Sequence, residues 1–95
     1  VIARTRLQEF WETHPDTETP LRLWYASVRQ AKWKNLNDLK NHYPKADYIG
    51  NERVVFDIKG NRYRIVVLIF FQAQKAYIRF VGTHAEYDKI DATTA

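Results

Sequence analysis

Gly60-Asn61 is the feature that most constrains this chain. On its N-terminal side apolar residues occupy every second position, Val54, Phe56 and Ile58, with Arg53, Asp57 and Lys59 as the polar neighbours. On its C-terminal side Tyr63, Ile65 and Val67 continue the alternation. A Gly-Asn pair tolerates the left-handed backbone of a two-residue hairpin turn, so Lys59 is set against Arg62. Counting outward, Asp57 faces Arg64, Val55 faces Val66 and Arg53 faces Leu68. On the other face Ile58 pairs with Tyr63, Phe56 with Ile65 and Val54 with Val67. A slip of one residue would turn every side chain to the wrong face. Turn chemistry and apolar alternation are independent signals, and they agree.

The next strand is placed by the same counting. With Ala73-Gln74 as the turn, Phe71 pairs with Ala76, Ile69 with Ile78 and Val67 with Phe80 on the apolar face. Leu68 then meets Arg79 on the other face, and Arg64 lies level with Thr83. Before residue 53 the pattern is helical. Thr5-x-x-Gln8 reads as a capping box ahead of Leu7, Phe10, Trp11 and His14, and Pro15 ends that helix. Thr19-Pro20 reads as the next start, leading into the face Leu21, Trp24, Tyr25 and Val28. Lys32–Lys34 bends the chain. Asn35 then caps a third helix bearing Leu36, Leu39 and Tyr43, which Pro44 ends. Val1–Arg4 is short and apolar enough for an edge strand extending the meander. Helices followed by strands predict an α+β domain, with helices packed on one face of a small antiparallel sheet and a short C-terminal helix.

With 95 residues, one domain spanning 1–95 is expected. A chain this short buries only about two thirds of its unfolded surface, so its 3 Trp, 6 Tyr and 5 Phe carry much of the core. Cysteine is absent, which excludes disulfides, thiolate metal sites and a cysteine nucleophile. A small secreted domain would usually need such staples, so a cytoplasmic location is expected. No apolar run approaches the roughly 18 residues of a membrane span. No signal-peptide pattern is visible, and a chain opening on Val1 rather than Met implies a native start further upstream.

Charge is concentrated in the strands. Residues 53–79 hold Arg53, Lys59, Arg62, Arg64, Lys75 and Arg79 against the single acid Asp57, giving that window +5 and the remainder −1 of the net +4. The polar face of the meander therefore presents Arg53, Lys59, Arg62, Arg64 and Arg79, which suits a polyanion as well as it suits a solvated face. Thr83-x-x-Glu86 is a capping box that starts a helix at the end of the last strand. His84 falls in its first turn, and Tyr87 projects to the same side one turn on. Arg62, Arg64, Lys59, His84 and Tyr87 converge on one end of the sheet, with Arg79 about 13 Å along the strand as a track for a backbone. His and Tyr exchange protons and guanidinium groups stabilise phosphate charge, a set that suits RNA cleavage by its own 2′-hydroxyl without metal. Equally, His84 can simply start a helix and Tyr87 pack at the sheet edge. His14 and His42 sit at helix ends and read as structural. No pair of histidines has metal-ligand spacing, and no Gly-rich phosphate loop is present, so no metal or cofactor is expected.

The run Val54–Val67 with its Gly60-Asn61-Arg62-Tyr63-Arg64 hairpin resembles the HigB toxins of the RelE-like superfamily, as does Tyr77-Ile78-Arg79 followed by Thr83-His84-Ala85-Glu86-Tyr87-Asp88-Lys89-Ile90. The opening Val1-Ile2-Ala3-Arg4 with Leu7-x-x-Phe10-Trp11, and Trp24-Tyr25, look like the same family. The resemblance covers essentially the whole chain, as one RelE-like toxin domain. It implies the toxin of a type II toxin–antitoxin system, an mRNA interferase that cuts messages on the translating ribosome to leave a 2′,3′-cyclic phosphate. It also implies a HigA-type helix-turn-helix antitoxin as partner. By motif, Arg64 would stabilise the scissile phosphate, His84 and Tyr87 would handle protons, and Lys59, Arg62, Arg79 and Lys89 would grip RNA. Two other functions fit the residues: a non-catalytic RNA-binding module, and a protein-interaction module whose basic face docks an acidic partner.

Overall fold

Three successive hairpins make a four-stranded antiparallel sheet. The computed structural model describes residues 4–60 and 62–95. β2 (Arg53–Ile58) and β3 (Tyr63–Phe70) pair as the turn chemistry predicts, with Arg53 opposite Leu68, Asp57 opposite Arg64 and Ile58 opposite Tyr63. The left-handed backbone begins one residue earlier than expected, at Lys59 (φ 53°) and Gly60 (φ 71°). Lys59 thereby leaves the ladder, which decides where its side chain goes.

β4 (Lys75–Thr83) departs from the expected register. Phe70 pairs with Lys75, Ile69 with Ala76 and Val67 with Ile78, two residues away from the predicted pairs. Ala73-Gln74 lacks the residues that adopt two left-handed conformations cheaply. The chain instead makes a wider turn over residues 71–74, with Gln74 alone left-handed (φ 54°). Beyond Ile78 the ladder resumes with Phe80 opposite Val66, so Arg79 is the extra residue of a bulge. The bulge reverses the parity. Phe80 joins the face of Arg64 rather than the apolar face, Val81 packs on the core, and Gly82, not Thr83, lies opposite Arg64.

The sheet's other neighbour was not legible. β1 (Asp47–Gly50) pairs with β2 and completes the order β1-β2-β3-β4. Four residues are too few to show alternation, and the link into β2 runs through left-handed Gly50, Asn51 and Glu52. Of the expected N-terminal strand, Val1, Ile2 and Ala3 lie outside the described residues, and Arg4 is the N-cap of the first helix.

The helices cover the apolar face. α1 (Thr5–Thr13) buries Leu7 and Trp11 and stops ahead of Pro15. The expected capping box is not formed, because Thr5 is already helical and no side chain caps the start. A 3-10 turn, Pro15–Thr17, leads directly into α2 (Glu18–Gln30), which begins ahead of Thr19 with Thr17 as its N-cap. Pro20 still falls in the first turn, where a missing N–H costs no helical bond. α2 buries Leu21, Trp24 and Val28. In α3 (Leu36–His42) the Asn35 side chain accepts the Asp38 N–H at 2.9 Å, as its sequence predicts. Phe56, 2% exposed, is ringed by Trp24, Trp33 and Tyr43 at centroid distances of 5.3, 6.4 and 5.2 Å.

The opposite face is not the open basic surface that alternation implies. Val55, Val66 and Ala92 are buried there, with Ile49, Phe80 and Tyr87 packed around them. The segment 91–95 lies across the middle of the sheet. Arg53 Nε and Arg79 Nε donate to the Ala95 carbonyl at 2.9 and 3.2 Å, and Asn51 Nδ2 donates to the Thr93 carbonyl at 3.0 Å. Asp91 folds the strap by accepting the Thr93 hydroxyl at 2.6 Å, and that bond, with the Thr93 N–H and nearby Arg53, holds its carboxyl below the usual carboxylate range. At the far end of this face Phe70 and Tyr77 stand exposed, and the open end that carries polar groups is the one beside the β2–β3 turn.

Candidate active site

The open end is organised around Arg64. Strand alternation sends its side chain to the covered face, next to Asp57 on β2 and Gly82 on β4. α4 (His84–Tyr87) starts where β4 ends, and its capping box is complete. The Thr83 hydroxyl accepts the Glu86 N–H at 3.1 Å and the Glu86 carboxylate accepts the Thr83 N–H at 2.8 Å. A further bond ties this helix to the hairpin, from the His84 N–H to the Arg62 carbonyl at 2.9 Å. Glu86 is therefore a capping residue, as its motif indicates.

These supports bring Arg64, His84 and Tyr87 together. Arg64 Nη2 lies 3.2 Å from His84 Nε2, and the guanidinium carbon sits 4.8 Å over the centre of the Tyr87 ring. Arg64 Nε is 3.4 Å from Asp57 Oδ1, close enough for ion pairing, but its N–H is not aimed to form a hydrogen bond. On its other side His84 Nδ1 meets Asp88 Oδ2 at 3.1 Å. The guanidinium is thus held by an acid, an aromatic face and an imidazole, with the Arg64 side chain 21% exposed. A cation braced in this way can meet an anion without first being ordered.

The outer basic residues are dispersed. Lys59, released from the ladder by its left-handed backbone, turns toward the helices and reaches Asp16 Oδ2 at 3.3 Å. The same oxygen accepts the Tyr63 hydroxyl at 2.9 Å. That bond, more than Lys59, holds the Asp16 carboxyl below its usual range, and it raises the Tyr63 phenol above its own. Lys59 accordingly does not stand beside Arg64. Arg79 sits at the bulge, about 10 Å along the strand from Gly82, and is engaged with the strap. Arg62 and Lys89 are exposed, and Arg62 adjoins the site through its carbonyl.

His14 and His42 are structural, as their positions at helix ends indicate. His14 stacks on Phe10 at 4.1 Å, and His42 bridges Ser27 and Trp33. Two acids were not singled out in the sequence, Asp88 and Asp16. Asp88 was findable, since it stands four residues after His84 on a predicted helix. Asp16 was not, because its partners are more than forty residues away. Among the described residues, no cluster of three or more His, Cys, Asp or Glu side chains forms a metal site, and no helix is long and apolar enough to cross a membrane.

A family model, that of the HigB toxin, the RelE-like toxic component of a toxin–antitoxin system, matches residues 17–90. The chain is 34% identical over 91 residues to the mRNA interferase toxin HigB of Escherichia coli strain K12, covering 93% of this chain and 86% of that protein. The mRNA interferase HigB of Shigella flexneri matches to the same extent. That of Escherichia coli O6:H1 is 23% identical over 92 residues, covering 95% of this chain and 89% of the relative.

Proposed function

The chain belongs to the HigB family of RelE-like toxins of toxin–antitoxin systems, and from that premise we propose that it is a cytoplasmic mRNA interferase that cuts messages on the translating ribosome by 2′-hydroxyl attack, without metal. The observation that carries the reading is the contact of Arg64 Nη2 with His84 Nε2 at 3.2 Å, a phosphate-binding cation joined to a proton acceptor. A scissile phosphate entering the site competes for that N–H, and taking it leaves the Nε2 lone pair free. His84 Nε2 then accepts the 2′-hydroxyl proton while the 2′-oxygen attacks phosphorus. Arg64 stabilises the charge that builds on the phosphoryl oxygens. The bond from phosphorus to the 5′-oxygen breaks, and that oxygen takes up a proton, for which the Tyr87 hydroxyl is the candidate donor. The products are a 2′,3′-cyclic phosphate and a 5′-hydroxyl end.

Arg62 and Lys89, both exposed near this end, supply charge for the RNA backbone. Lys59 and Arg79 contribute only by exchanging their present partners for phosphate. For Lys59 this is cheap, because a solvent-exposed ion pair contributes little to stability. A purely binding role is less well supported, since Arg53, Lys59 and Arg79 are engaged by the protein itself while the braced Arg64–His84 pair is not needed for binding. The expected regulating partner is a HigA-type helix-turn-helix antitoxin.

Primer extension on a defined message in a reconstituted bacterial translation reaction tests the reading. Cuts that need ribosomes, persist in EDTA and fall by about 10²-fold or more in His84→Ala and Arg64→Ala are expected. Both variants must keep the wild-type melting temperature. A folded wild-type protein that leaves the message whole overturns the proposal.

A further inference from the structure

His84 is engaged at both ring nitrogens, and the two partners differ in kind. Arg64 donates only, since a guanidinium has no acceptor and keeps its protons. Its Nη2, 3.2 Å from Nε2, therefore requires a lone pair on that nitrogen. In the neutral ring the proton must then sit on Nδ1, the nitrogen 3.1 Å from Asp88 Oδ2, where the carboxylate charge favours it. Building on the cleavage reading above, we propose that Asp88 is a positioning residue that holds His84 in the Nδ1–H tautomer, with the Nε2 lone pair aimed at the reacting hydroxyl.

Helix stability does not account for Asp88. It follows the last helical residue of α4, and a negative charge gains nothing at the carboxyl end of a helix. Its placement four residues after His84 instead sets the carboxylate on the same side of the helix as the imidazole. The backbone there is firm. The Asp88 N–H donates to the His84 carbonyl at 3.0 Å, and the capping box fixes the helix start. Asp88 thus acts on the reaction through the ring of His84, and the substrate need not touch it.

The protein carries its own reference. In His42 the Trp33 indole N–H donates to Nδ1 at 3.3 Å, so the proton lies on Nε2, facing the Ser27 hydroxyl at 3.0 Å. His84 and His42 should therefore show opposite tautomers in one long-range proton–nitrogen spectrum of ¹⁵N-labelled protein, recorded near pH ~9, above the ordinary imidazole range. His84→Gln assigns the His84 signals. Asp88→Ala is expected to move the His84 signals away from the Nδ1–H pattern and leave those of His42 in place. In the cleavage assay the same variant should lose about tenfold or more, yet less than the 10²- to 10⁴-fold typical of removing a proton-transfer group. Asp88→Asn keeps an acceptor for Nδ1–H and should restore both the tautomer and most of the rate lost in Asp88→Ala. A wild-type His84 with its proton on Nε2, or an Asp88→Ala protein with unchanged spectrum and unchanged cleavage, overturns the proposal. If the wild type does not cut RNA, the cleavage reading and the role of Asp88 in it fall together, while the spectrum still decides which tautomer is held.

Discussion

α4 is too short to stand by itself. Forming the first turn of a helix fixes several residues for a single hydrogen bond, and a four-residue helix never recovers that cost by propagation. Its order must come from the capping box, from the His84 N–H bond to the Arg62 carbonyl, and from the packing of Tyr87 on the cluster of Val55, Val66 and Ala92, beside the Phe80 ring. Thr83→Val removes one of these alone. Valine keeps the volume and the strand preference of threonine, but it cannot accept the Glu86 N–H. Loss of an N-cap side chain costs about 1 kcal/mol. At that cost the equilibrium for local opening of α4 rises about fivefold. The clearest readout is amide exchange at Asp88, whose N–H is held by the His84 carbonyl at 3.0 Å. Its exchange should accelerate about fivefold, and the melting temperature should fall by about 4–8 °C. Glu86→Leu removes the reciprocal bond, and the double variant should cost less than the two singles together, because both act through one short helix. An Asp88 amide that exchanges at the wild-type rate in Thr83→Val would refute the reasoning, since α4 would then be held without its cap.

Three further outcomes follow from the same geometry. Phe56→Ala empties the centre of the aromatic cluster and should cost about 3–5 kcal/mol, read as a large fall in the urea midpoint. Arg64→Lys keeps the charge but loses the fork that meets both His84 and a phosphate, so cleavage should drop by about tenfold to a thousandfold at an unchanged melting temperature. Tyr63→Phe tests the bond to Asp16. The Asp16 carboxyl is held low, so its contribution to stability is present above about pH 4 and lost as the pH falls through its folded value. The Tyr63 phenol is held high, so its contribution is present below about pH 10 and lost as the pH rises beyond it. Melting temperature against pH should decline less steeply at both extremes in Tyr63→Phe than in the wild type. Identical curves would mean that the bond contributes nothing.

Much of the site was legible because its parts are close in sequence. The pairing of Asp57 with Arg64 follows from a short turn between two alternating strands, and the start of α4 follows from Thr83 and Glu86, three residues apart. Asn35 capping α3 is another local signal that held. The cap predicted at Thr19 was displaced because the 3-10 turn after Pro15 runs straight into the helix, and nothing in a four-residue pattern reports such a junction. The β4 register failed for a related reason. A weak turn left it to packing, and packing chose a bulge that sends Arg79 out of the alternation.

The sequence by itself determined the class of fold, the β2–β3 register and the arrival of Arg64, His84 and Tyr87 at one end of the sheet. Each rests on turn chemistry, on periodicity or on a cap, all of which act within a few residues. Tertiary structure alone decided that β1 completes the sheet, that Lys59 turns to Asp16, and that the strap of 91–95 covers the middle of the basic face. Lys59 and Asp16 stand 43 residues apart, and Arg53 and Ala95 stand 42 apart. Contacts at such separations leave no periodic trace in the chain, because they exist only once the sheet has brought their partners together.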